Sequence, residues 1–98
     1  MDIKTYQEQV KKAEAYQNAN KWKQDNNARP AKENEIIFAA AHNDMKALIN
    51  QVGKITEFAK KFEIPYRTVQ DWANEKRKAP DYIIKMVGYI LISNMEES

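Results

Sequence analysis

The chain contains no cysteine in 98 residues, which excludes a disulfide framework, a thiolate metal site and a cysteine nucleophile. Its one histidine, His42, stands beside Asn43 and Asp44 with no second His or Cys. A zinc site needs three or four ligands and a general base needs a nucleophile to serve, so neither a metal nor a catalytic role is read there. Only two glycines occur, Gly53 and Gly88, isolated and far apart, so there is no Gly-rich phosphate loop. The acidic pairs Glu33 with Glu35 and Glu96 with Glu97 fit helix-end charge and tail solvation better than a general acid and base. Apolar runs fall far short of a membrane span, and MDIKTYQEQV lacks the apolar core of a signal peptide. These absences predict a soluble, cytoplasmic protein that is not an enzyme and carries no metal or cofactor.

What remains is helical in character. The 43% hydrophobic content fills a modest core, and 98 residues is one domain's length. The expected class is all-α with about five helices, divided into an N-terminal helical extension and linker (1–29), a main domain (30–93) and a frayed tail (94–98). Asp2 to about Trp22 lacks Gly and Pro and is rich in Lys, Glu, Gln and Ala, which predicts one helix. Its apolar stripe, Ile3, Tyr6, Val10 and Ala13, is narrow. Lys23 to Arg29 reads as a linker. Pro30 opens a long helix whose apolar face runs from Ile36 to Val52, and Gly53 ends it.

Charge is uneven along the chain despite a net of +2. Residues 54–78 hold seven Lys or Arg against four Asp or Glu, whereas residues 79–98 hold one against three. Within the basic stretch, Phe58, Ala59 and Phe62 fall on one side of a short helix, Ile64 closes a turn, and Val69 and Trp72 repeat three apart on a second helix. Arg67, Gln70 and Asn74 then face outward at i, i+3 and i+7, flanked by Tyr66 and Asp71. After Pro80 a last helix is apolar on several sides. Ile83, Met86, Val87 and Ile90 make a core stripe, which leaves Tyr82, Ile84, Tyr89 and Leu91 as exposed apolar flanks, the mark of a protein interface.

The stretch ITEFAKKFEIPYRTVQDWANEKR, from Ile55 to Arg77, resembles the helix-turn-helix of small phage-type repressors of the Cro and cI kind. The resemblance covers about residues 44–92. In that family the second helix enters the DNA major groove. Glu63 holds a turn position that is often Gly there, and Ile55 replaces the polar residue that commonly opens the first motif helix. The resemblance implies a sequence-specific duplex-DNA-binding transcriptional regulator, a repressor from a phage or other mobile element, acting as a homodimer on a palindromic operator. Arg67 and Gln70 would be the principal base readers with Tyr66, Thr68, Asp71 and Asn74 assisting. Lys60, Lys61, Lys76, Arg77 and Lys78 would meet phosphates, and Tyr82, Ile84, Tyr89 and Leu91 would join the subunits. The alternative is a protein-binding inhibitor or adaptor, for example an anti-CRISPR, that keeps the fold and lays Asp2 to Trp22 in a partner's groove.

Overall fold

A computed structural model describes residues 1–97, and among them every regular element is a helix. They are α1 (Ile3–Ala13), α2 (Ala19–Asp25), α3 (Ala31–Ala41), α4 (Met45–Val52), α5 (Ile55–Phe62), α6 (Tyr66–Ala73) and α7 (Asp81–Glu97). These seven exceed the expected five because both long predicted helices break where a short polar side chain caps a new one. Asn18 accepts from the Asn20 and Lys21 amides at 2.8 and 3.2 Å, which ends the run expected through Trp22 and starts α2. Asn43 adopts a left-handed φ of 54°, and the Asp44 carboxylate accepts from the Ala47 amide at 3.0 Å to start α4. Gly53 ends α4 at φ 121°, as its placement predicts. The last helix continues through Glu97, so the tail expected to fray is helical that far, and Ser98 lies outside the described residues.

Helix α3 is the centre of the fold and packs against α1, α2, α4 and α7. Apolar residues surround it on nearly every side, as burial on all faces requires, and Ile36, Ile37, Ala39, Ala40 and Ala41 are all buried. Helix α4 then carries α5 and α6, with Leu48 and Ile49 meeting Phe58 and Val69 in the same core. Residues 1–25 belong to that core as well, through Tyr6, Val10, Ala13 and Trp22.

A polar knot fastens them. Arg29 donates to Asn34 Oδ1 at 2.8 Å and to Gln9 Oε1 at 2.7 Å, and its guanidinium lies 5.9 Å from the Trp22 ring centroid. The buried Asn34 amide donates to the Asn26 carbonyl at 2.9 Å, and Trp22 Nε1 donates to the Asn34 carbonyl at 3.2 Å. Every buried polar atom of the knot therefore has a partner, which keeps its burial from being costly. Tyr16 stacks edge-on to Trp22 and donates to Asp25, whose carboxyl is held below the usual range by that bond. That small contribution is present above the ordinary carboxylate pKa and is lost as pH falls through the folded value.

Helix α7 presents a different face to the core than its sequence predicts. Ile84, Val87, Leu91 and Ile92 are buried, while Met86 and Ile90 are exposed and Ile83 is half-buried. Ile84 is 0% exposed and Leu91 7%, so neither is available to a second subunit, which corrects their assignment to a dimer interface. Tyr89 is half-buried against the Tyr6 ring at 5.3 Å, and of the four residues only Tyr82 is well exposed. The contact that sets this rotation is Tyr6. Its hydroxyl donates to the Lys85 carbonyl at 2.7 Å, and burial pushes its ionisation above the ordinary tyrosine range.

Gly88 makes room for it: a Cβ there would lie 2.5 Å from the Tyr6 hydroxyl oxygen and 3.2 Å from Ala40 Cβ. Gly88→Ala is therefore expected to lower stability by about 1–3 kcal/mol despite alanine's better helix propensity. In a Tyr6→Phe background, which lacks the clashing oxygen, most of that loss should vanish. A urea-denaturation double-mutant cycle checks it, and additive losses would contradict the contact.

Candidate functional site

The site is built on α5 and α6, two eight-residue helices joined by Glu63, Ile64 and Pro65. Phe58 and Ala59 are buried, and the Phe58 and Phe62 rings pack at 4.7 Å. The turn forms because Glu63 takes a left-handed conformation, φ 53° and ψ 43°, and the Ile64 amide then donates to the Ala59 carbonyl at 3.0 Å. A non-Gly residue in that conformation costs on the order of 1 kcal/mol. Pro65 precedes α6, where its missing N–H is not needed, and its carbonyl accepts from the Thr68 and Val69 amides.

Val69 is fully buried against the rest, with Trp72 and Ala73 packed beside it. At about 100° per residue, Arg67, Gln70, Asp71 and Asn74 then fall on the opposite side of α6. Arg67 and Asn74 are exposed and Gln70 is half-exposed. Tyr66 is exposed at the start of the helix, whereas Thr68 sits half-buried on the flank away from Gln70. The expected grouping of Arg67, Gln70 and Asn74 on one face is thus present.

Asp71 sits differently from a side chain that waits for a base. Its carboxylate, 18% exposed, lies 3.7 Å from Arg67 Nε and 4.0 Å from Arg77 Nε. These are long, solvent-bathed pairs worth little to stability. They place a negative charge between two exposed guanidinium groups. The Arg67 pair is an i,i+4 spacing and legible in sequence. The Arg77 pair is not, since it depends on the chain reversing after α6.

That reversal also organises the basic run. Glu75 adopts φ 60°, and the amides of Lys76 and Arg77 both donate to the Asp71 carbonyl, at 2.9 and 3.3 Å. Lys76, Arg77 and Lys78 are all exposed, next to the negative end of the α6 dipole. Arg77 and Lys78 border a hollow of about 200 Å³ whose opposite wall includes Asp44 and Lys46 at the start of α4. Lys46 is thereby a cation of this surface that sequence spacing does not reveal. Lys60 and Lys61 are exposed on α5. Lys61, however, borders a separate groove with Lys32, Ile36 and Leu91 that no α6 residue lines.

His42, the residue with no assigned chemistry, stacks on Phe38 and gives its Nε2 to the Ala13 carbonyl at 3.1 Å, tying the end of α3 to α1. Among the described residues no helix is long and apolar enough to cross a membrane. Comparison with protein-family models, with curated proteins and with solved structures finds no match to this chain.

Proposed function

We propose that the chain is a sequence-specific double-stranded-DNA-binding regulator of the helix-turn-helix kind, with α6 as its recognition helix. The observation that carries this reading is the outward face of α6. Arg67, Gln70 and Asn74 project from it opposite the buried Val69, and the exposed run Lys76, Arg77, Lys78 follows within one turn. Arg makes two coplanar hydrogen bonds to guanine O6 and N7, and Gln does the same to adenine N6 and N7. Lysines and arginines beside such a face supply the salt-dependent attraction to phosphates. Asp71 acts here through the two arginines it faces, and Tyr66 and Thr68 flank the contact. A repressor of phage type on a two-fold operator fits, since two-fold sites pair with dimeric readers. The alternative, an inhibitor or adaptor docking its N-terminal helix on a partner, draws no support from α1, whose residues Tyr6, Val10 and Ala13 are occupied by the chain's own core.

Selection of bound duplexes from a random pool tests the reading. A two-fold-related sequence should be enriched, and Arg67→Ala or Gln70→Ala should each cost about 1–3 kcal/mol on it while leaving binding to random DNA nearly intact. Neutralising Lys76, Arg77 and Lys78 should weaken both and flatten the salt dependence. A pool that enriches no sequence would remove the proposal.

A further inference from the structure

The basic run after α6 is not uniform. Lys76, Arg77 and Lys78 are all exposed, but only Arg77 faces an acid among the described residues. The Asp71 carboxylate lies with Oδ1 3.7 Å from Arg67 Nε and Oδ2 4.0 Å from Arg77 Nε, so one acid meets two guanidinium groups, each through a different oxygen. The backbone brings Arg77 there. With Glu75 at φ 60°, the Arg77 amide donates to the carbonyl of the same Asp71 at 3.3 Å. Arg77 is thereby anchored beside α6, although it lies outside the helix in sequence.

That acid bears on what Arg77 is suited to meet. A phosphate attracts by charge, and a carboxylate 4.0 Å away offsets the charge of the arginine that would meet it. A base edge presents acceptors but no net charge, so a guanidinium partly offset by an acid keeps what a base requires. In both pairs the nitrogen turned to the acid is Nε, which leaves the two Nη groups to donate elsewhere. Two such donors in one plane match guanine O6 and N7. Asp71 itself is only 18% exposed and has an arginine beside each oxygen, so it is poorly placed to reach a base. Pairs of this length are weak in water. DNA closing over them excludes water and strengthens the same attraction, so the carboxylate exerts its effect in the complex.

The geometry points to Arg77 as a second base reader instead of a phosphate contact: Arg67 and Arg77, set on the two oxygens of Asp71, each take a guanine, and Asp71 is the positioning residue for both. Their Nε atoms are at most about 10 Å apart, a span of about three base-pair steps at 3.4 Å each. Each half-site should therefore hold two guanines, on either strand, within about three base pairs. This assignment deepens the DNA reading and rests on it. Lys76 and Lys78 stay with the phosphates, and Arg77 parts from them.

Selection from a random duplex pool with the full chain, followed by affinity measurements on the enriched site, tests the assignment. Arg77→Lys keeps the charge and loses the flat fork. It should bind the enriched site about 10-fold or more weaker and no longer prefer one of the guanines on reselection, while its affinity for random DNA and its salt slope stay as in wild type. Asp71→Asn should lower the preference at both guanines together. By removing a negative charge it should also tighten binding to random DNA. Circular dichroism and melting of both variants should match wild type, since the side chains changed make only weak surface pairs. An Arg77→Lys protein with wild-type affinity and base preference would return Arg77 to the phosphates and overturn the assignment, as would an Asp71→Asn protein that keeps both guanine preferences. Either result leaves the DNA reading standing. A pool that enriches no sequence removes that reading and this assignment with it.

Discussion

The Ile84→Glu variant is expected to be unfolded at neutral pH, while Met86→Glu, two positions along the same helix, folds normally. Ile84 is fully buried between α7 and the core. Removing its side chain from that place forfeits about 2–3 kcal/mol of apolar burial. The incoming carboxyl then either stays charged without a partner or takes up a proton. Holding a group with an ordinary pKa near 4.3 neutral at pH 7 costs about 4 kcal/mol. The sum approaches the whole stability of a domain this small, about 5–15 kcal/mol. Far-UV circular dichroism and urea titration check it. The loss relative to wild type should grow as pH rises above the ordinary carboxylate pKa, because only the charged form bears the full penalty. A folded Ile84→Glu protein with wild-type melting would mean that α7 turns its other side to the core.

Trp22→Ala is expected to cost about 3–5 kcal/mol. Trp22 is 1% exposed and touches three groups that fasten the N-terminal helices. Its indole N–H donates to the Asn34 carbonyl, its ring meets Tyr16 at 5.1 Å, and Arg29 lies over it. Emptying the site leaves a cavity and strips the Arg29 knot of its apolar floor. Urea denaturation gives the magnitude, and amide exchange should show that protection falls most in α1 and α2. Trp22→Phe, which keeps a ring but not the N–H, should lose only about 1–3 kcal/mol. Wild-type stability in Trp22→Ala would mean that the residue serves an outside partner instead.

The sequence is most legible where two independent signals coincide. Between Ile55 and Ala73, helical spacing of Phe58, Phe62 and Val69 agrees with a proline at the start of α6 and a glycine at the end of α4. The outward residues of α6 follow from that frame with no further information. The helix boundaries at Asn18 and Asn43 are harder. Asn and Asp are tolerated inside a helix and favoured at its cap, and only tertiary packing decides between the two. The orientation of α7 is harder still. With Ile83, Ile84, Met86, Val87, Ile90, Leu91 and Ile92 spread around its axis, periodicity supports several faces equally. What breaks the tie is Tyr6, some eighty residues away, whose hydroxyl needs the bare backbone at Gly88. The Arg29–Asn34 knot leaves one visible trace, an asparagine next to the apolar run of α3. The pairing of Asp71 with Arg77 leaves none, since Glu75 enters a left-handed turn without a glycine to announce it.

The position of α4 has a dynamic consequence. It makes the substantial contacts to α3 and α7 on one side and to α5 and α6 on the other. The arrangement predicts that amide exchange runs through two cooperative units. The α5–α6 pair is expected to open as one at a free energy below that of global unfolding, and uniform protection across all helices in native-state exchange would contradict it. Phe58 and Val69 anchor that pair in the common core, so a substitution that loosens either is expected to speed exchange in both helices and to disturb the face that carries Arg67 and Gln70.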